Sequence, residues 1–166
     1  MTLLHPRANE LISALELTPH PEGGYFREVF RDAAQVRHPV HGELRAAMTH
    51  IHFLLVRGSF SAFHRVAQTE LWHHVEGEPL ELTLLREGPA EPTIEKVLLG
   101  RGPGFCQVYA VPPMVWQAAS PLGDFALVGC TVAPGFSFAD FELPPRSVLL
   151  ARFPAQSTLI EALTRG

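Results

Sequence analysis

The sequence predicts an all-β domain, a sandwich or a barrel, and three observations carry that prediction. Short segments rich in β-branched, aromatic or leucine residues follow one another from residue 46 onward. Turn signals separate them, among them Arg57-Gly58, Glu76-Gly77, Glu87-Gly88-Pro89 and Ala133-Pro134-Gly135. Pro (15) and Gly (13) are spread along the 166 residues, which suits many short elements and disfavours long helices.

Taken in order, residues 8–17 (ANELISALEL) place Leu11, Ile12 and Leu15 on one helical face, with Asn9 as the expected N-cap. Pro19, Pro21, Gly23 and Gly24 then forbid helix, and YFREVF (25–30) alternates apolar with charged residues as a strand does. The expected strands that follow are THIHFLLV (49–56), SAFHRV (61–66), ELWHHV (70–75), PLELTLL (79–85), CQVYAV (106–111) and FALVGCTV (125–132). QSTLIEALTR (156–165) reads as a closing helix. No repeat, linker or low-complexity tract divides the chain, so residues 1–166 form one expected domain.

A hydrophobic share of 46% against 18% charged is too apolar for disorder, and a chain this long buries a core without staples. Net charge is -4 and no segment clusters Lys and Arg, so nucleic acid is not an expected partner. No run of 18 apolar residues exists, and the start MTLLHPRANELISAL lacks the pattern of a signal peptide; a cytoplasmic protein with no membrane partner is expected. Cys106 and Cys130 form no CxxC motif, and Lys96, the single lysine, lies in a polar stretch unsuited to Schiff-base chemistry. GRGPG (100–104) lacks the Lys-Ser/Thr tail of a phosphate loop and reads as a turn.

Histidine is the strongest chemical signal. Five of the nine, His50, His52, His64, His73 and His74, fall within 25 residues that also contain Glu70. Neutral imidazoles beside a carboxylate suit a divalent metal and suit proton transfer equally well. Strand alternation puts His50 and His52 on one face, and puts His73 and His74 on opposite faces.

The stretch GSFSAFHRVAQTELWHHVEG (58–77) resembles the first motif of the cupin superfamily, G-x5-H-x-H-x3-E-x6-G. Gly58, His64, Glu70 and Gly77 are in register, and Val66 stands where a second histidine is usual. The second motif is fainter: Pro112 fits, Met114 replaces a glycine, and Gln117 stands at a usual histidine. HPEGGYFRE (20–28), FLLVRGSFSAFHR (53–65), VPPMVWQAA (111–119) and LVGCTVAPGFSFADFEL (127–143) further resemble an uncharacterised cupin subfamily with a His-Pro-Glu-Gly-Gly-Tyr start. The resemblance spans about residues 20–143. It implies a double-stranded β-helix jelly-roll barrel with short N- and C-terminal helices, a fold like that of sugar-nucleotide epimerases, and usually a homodimer.

The resemblance also supplies site expectations. His64 is the expected general base, Glu70 its orienting or charging partner, and His73 the inward-facing member of its pair. Tyr25, Arg27, His52, Trp72, Trp116 and Gln117 are expected to touch a small-molecule ligand: Arg27 as an anion clamp, the tryptophans as aromatic walls, Gln117 as a hydrogen-bonding group. Three functions fit this set. The first is an epimerase or isomerase acting on a sugar- or nucleotide-like ligand without an obligatory metal. The second is a dioxygenase- or isomerase-like enzyme whose divalent metal is held by His64, Glu70, a further histidine and Gln117. The third is a non-catalytic binding module.

Overall fold

The computed structural model describes residues 4–89 and 91–166, and it is mostly antiparallel sheet. Helix α1 (Pro6–Ala14) opens the chain, followed by strands β1 (Thr18–Pro19), β2 (Tyr25–Arg31), β3 (Gln35–Arg37), β4 (Leu44–Ala46), β5 (Thr49–Val56), β6 (Ser61–Val66) and β7 (Thr69–Gly77). Strands β8 (Leu80–Arg86), β9 (Thr93–Leu99), β10 (Val108–Val111), β11 (Trp116–Pro121), β12 (Phe125–Ala133) and β13 (Phe141–Glu142) complete the barrel, and α2 (Arg146–Arg152) and α3 (Ser157–Ala162) close it. Among the described residues no helix is long and apolar enough to cross a membrane.

Two sheets face each other, ordered β1-β2-β5-β12-β7-β10 and β13-β6-β11-β8-β9, with β3 and β4 as a separate hairpin. Neighbours in these sheets are mostly distant in sequence, as a jelly roll requires. The fold is the expected jelly-roll barrel. Several elements differ from the sequence expectation. Helix α1 starts at Pro6, because Pro fits the first helical turn and His5 Nδ1 accepts from Arg7 N; His5, not Asn9, is the cap. The closing helix is shorter than 156–165 and is preceded by α2, whose Leu149 packs with Phe153 and Ile160 on Phe63 and Trp116. The expectation contained neither β9 nor β11. TIEKVLL (93–99) is mostly solvent-facing edge, and WQAASP (116–121) has weak strand propensity; both form because β8 supplies a ladder to each.

Strand alternation decides what lies inside. On β5, Thr49, Ile51, Phe53 and Leu55 face the interior, while Leu54 and Val56 turn outward beneath α1. On β7, Glu70 and Trp72 face inward. Trp72, Phe53, Leu80, Leu82, Leu84, Leu99 and Val111 fill one end of the barrel solidly. The other end stays hollow, roofed by the β3–β4 hairpin and the segment after β12. Asp140 pins that roof: its carboxylate accepts from Arg45 Nε at 2.7 Å and Nη2 at 2.8 Å, and from Gln68 Nε2 at 2.5 Å.

Candidate functional site

The hollow end is a cavity of about 540 Å³, a volume typical of a small-molecule site. His64 and Glu70 both line it, as the sequence motif implies. His64 projects from β6 and Glu70 from β7, strands joined by the short turn at Ala67-Gln68. Two further lining groups were missed by sequence reasoning: His20 and Glu22. Both sit in the HPEGG turn, immediately before Tyr25 and Arg27, the residues of β2 expected to touch the ligand.

That turn explains its own residue types. Gly23 N donates to His20 O and His20 N to Gly24 O, both at 3.0 Å, closing a tight loop. Gly24 has φ +74, and a Cβ there would stand 2.7 Å from Leu54 O, so only glycine fits. Ala62 N donates to Glu22 O at 2.8 Å, which ties the loop to β6 and delivers the Glu22 side chain to His64.

The resulting polar cluster is buried. Glu22 Oε1 accepts from Ser61 Oγ at 2.9 Å, and Glu22 Oε2 lies 3.3 Å from His64 Nε2 and 3.6 Å from His20 Nδ1. His64 Nδ1 donates to Ala62 O at 2.8 Å; that carbonyl can only accept, so the basic lone pair is on Nε2, toward Glu22. Glu70 is held separately. Gln117 Nε2 donates to Glu70 Oε2 at 2.6 Å, and Trp72 Nε1 donates to Gln117 Oε1 at 2.9 Å. The carboxyl nearest His64 Nε2 is therefore Glu22, at 3.3 Å, not Glu70. Glu70 acts on His64 through its charge.

Burial controls the protonation of all four groups. Desolvation pushes the Glu22 carboxyl up to about 8, against the opposing pulls of the Ser61 hydroxyl and Arg165. It pushes Glu70 up to about 7; His64 pulls that value down and Glu22 adds to the rise. Desolvation, aided by His64, takes His20 down to about 4. His64 is also lowered by desolvation, partly offset by Glu70 and the Ala62 carbonyl.

These shifts fix the pH dependence of stability. Glu22 and Glu70 keep protons in the fold that the unfolded chain has released above about pH 5, so their contribution is complete below the unfolded value and is lost as pH rises through about 7 and 8. His20 and His64 have the opposite sign: the unfolded chain takes their protons first, so stability falls as pH drops below about 6.5. The two effects offset between about pH 5 and 6.5. Above that the carboxyls dominate, opposed only by the last protons that the unfolded imidazoles, His50 included, give up. Urea unfolding at pH 6.5 and pH 8 is expected to show a loss of about 2 kcal/mol, and Glu22→Gln should remove more than half of it. Unchanged or rising stability over that interval would contradict the buried neutral carboxyls.

Most of the other expected ligand contacts lie elsewhere. His73 faces outward: Glu70 and Trp72 point inward, and a period of two places His74 with them, where its Nε2 bonds Glu78 O at 3.0 Å. His50 and His52 share the outer face with His73, and His50 Nδ1 lies 2.7 Å from Thr131 Oγ1. Tyr25 packs outward near α1, and Arg27 pairs with Glu16 away from the cavity. Trp116 belongs to the cluster under α2 and α3, with the Arg65 guanidinium 4.2 Å over its ring. Trp72 and Gln117 face inward but do not line the cavity; they form the support behind Glu70. The aromatic walls are Phe26, Phe53, Phe136, Phe138 and Phe141.

The metal ligand set implied by the motif does not form. Val66 offers no ligand, Gln117 is spent on Trp72 and Glu70, and no outer-face histidine reaches the cavity. Among the described residues no three His, Cys, Asp or Glu side chains converge as a metal site.

Residues 9–144 match the family model described as Cupin superfamily (DUF985). A hypothetical protein from Leishmania major superposes with a TM-score of 0.89 at 31% identity, covering 96% of this chain and 99% of that one. A protein from Shewanella oneidensis does so with a TM-score of 0.85 at 33% identity, covering 95% and 97%. Oxalate decarboxylase from Bacillus subtilis shares the fold at 18% identity and a TM-score of 0.52, over 87% of this chain and 36% of that one. No curated protein matches.

Proposed function

We propose, for a chain that belongs to the cupin superfamily (DUF985), that the barrel cavity binds a small organic molecule and moves a proton on it, as an epimerase or isomerase does. One observation carries this reading. Two separate acid–base units, the Glu22–His64 pair and Glu70, line the same cavity, and burial sets both carboxyls near neutrality.

The chemistry needs little else. An isomerisation beside a carbonyl removes a proton from carbon and returns one, so it uses a base and an acid with similar proton affinities. Glu70, with a pKa of about 7, is ionised in a sizeable fraction of molecules at neutral pH. Its Oε2 is held by Gln117, and among the described residues no hydrogen bond engages Oε1. His64, neutral and fixed in one tautomer by Ala62 O, exchanges a proton with Glu22 across 3.3 Å. Asp140 fixes the roof beside them through Arg45 and Gln68.

The ligand itself is the test. Protein purified gently and denatured for mass spectrometry is expected to release a small molecule of carbonyl or masked-carbonyl chemistry. Incubated with fresh protein in D2O, that molecule should gain one deuterium at the carbon beside the carbonyl. A released ligand that gains none, with the protein folded, would reduce the site to a binding module.

A further inference from the structure

We infer that the ligand of this cavity carries a planar cationic nitrogen group, of amidinium or guanidinium type, held between phenylalanine rings and neutralised by Glu22 and Glu70. The inference names the ligand class of the site proposed above. It rests on that cavity being the binding site and not on the proton transfer.

The charges around the cavity lead to this conclusion. Its lining includes two arginines, and both are already matched at the rim: Arg31 with Glu28 at 2.7 Å, Arg45 with Asp140 at 2.7 Å. Arg165, the other cation near Glu22, donates to the backbone carbonyls of Glu22 and Phe60 and does not pair with the carboxylate. What remains is two carboxyls, more than nine-tenths buried, with no matching cation. Their titratable neighbours are His20 from the turn, His64 from β6 and Cys130 from β12, and burial favours the neutral form of each.

Two atoms of this lining lack partners. Among the described residues, no hydrogen bond reaches Glu70 Oε1 or His20 Nε2, although both side chains are more than nine-tenths buried. Both residues line the cavity, so a ligand can reach them. Glu70 Oε1 takes a donor such as an amidinium N–H. His20 Nε2, whose ring accepts from Glu22 N at Nδ1, is itself an N–H and suits an acceptor elsewhere on the ligand. The apolar wall agrees. Phe26, Phe53, Phe136, Phe138 and Phe141 border the cavity, and the faces of such rings attract a desolvated cation. An amidinium offers paired N–H donors to a carboxylate and a flat face to the rings. An anionic ligand would instead meet two carboxyls and no free positive charge.

The pH dependence follows with its sign. A cation binds the ionised carboxylates, which are scarce at pH 6.5 and abundant at pH 8, so binding strengthens as pH rises and releases protons. The rim pairs, already ionised, do not contribute to this change.

Benzamidine, benzamide and benzoate share one shape and differ in charge, which makes them suitable probes. Calorimetry at pH 8 is expected to show benzamidine binding at least about 10-fold tighter than benzamide, with benzoate weaker still. Benzamidine affinity should fall toward pH 6.5, and buffers of different ionisation enthalpy should report proton release. Glu22→Gln and Glu70→Gln should each lose about 10-fold for benzamidine and little for benzamide. Both variants keep shape and hydrogen-bonding capacity, and circular dichroism confirms their fold. Benzamide or benzoate binding as tightly as benzamidine overturns the inference. So does failure of benzamidine, phenylguanidine and methylguanidine all to bind at pH 8. If benzamidine binds as expected while no variant alters deuterium exchange into the natural ligand, the proton-transfer reading fails and this one stands.

Discussion

His64→Asn is expected to lower the rate of deuterium exchange into the released ligand by at least about 10²-fold, the usual contribution of a positioned acid–base group. Asparagine can still donate to Ala62 O, so the 2.8 Å bond that seats the side chain has a substitute. It cannot take or give a proton at neutral pH, so the Glu22–His64 pair loses its relay while Glu22 stays hydrogen-bonded to Ser61. Glu70→Gln should lose a similar factor through the other unit. Its amide keeps the link to Gln117, and the altered group cannot ionise. The double variant should fall little further than the worse single one, because proton removal and return are parts of one reaction. A His64→Asn protein that folds and exchanges at an unchanged rate would exclude the imidazole from the chemistry.

Trp72→Ala is expected to cost about 4 kcal/mol or more, the largest single loss of stability in the barrel. The ring is 1% exposed and meets Phe53 edge-on at 5.9 Å, so truncation opens a large cavity at the solid end of the core. It also removes the N–H that donates to Gln117 Oε1 at 2.9 Å, leaving a buried acceptor unsatisfied. Trp72→Phe separates the two effects. It keeps most of the apolar volume and loses only the donor, so about 1–3 kcal/mol should go. With Gln117 freed to rotate, its hold on Glu70 loosens, and the Glu70 carboxyl should titrate at a different pH in that variant. Denaturant unfolding of both variants decides the matter; a cost below about 2 kcal/mol for Trp72→Ala would show that the interior repacks freely.

The sequence was most legible where strands alternate cleanly and turns are marked. THIHFLLV and SAFHRV became β5 and β6 with the expected ends, because Arg57-Gly58 and the Ala67-Gln68 turn bound them. The motif spacing placed His64 and Glu70 on consecutive strands of the two facing sheets, pointing into one interior. With Glu70 inside, Trp72 and His74 had to follow and His73 had to face out. His52, paired across the sheet with Gly129 and Arg27, turned outward for the same reason.

By itself, then, the sequence determined the β architecture and the inward register of one imidazole and one carboxyl, because both follow from local periodicity along a strand. The tertiary structure alone decided that Glu22 is the group beside His64, since a turn preceding β2 reaches β6 only when the barrel closes. It alone decided the protonation of the cluster as well. Burial, not residue type, moves the two carboxyls upward and the two imidazoles downward, and burial exists only once the sheets have packed.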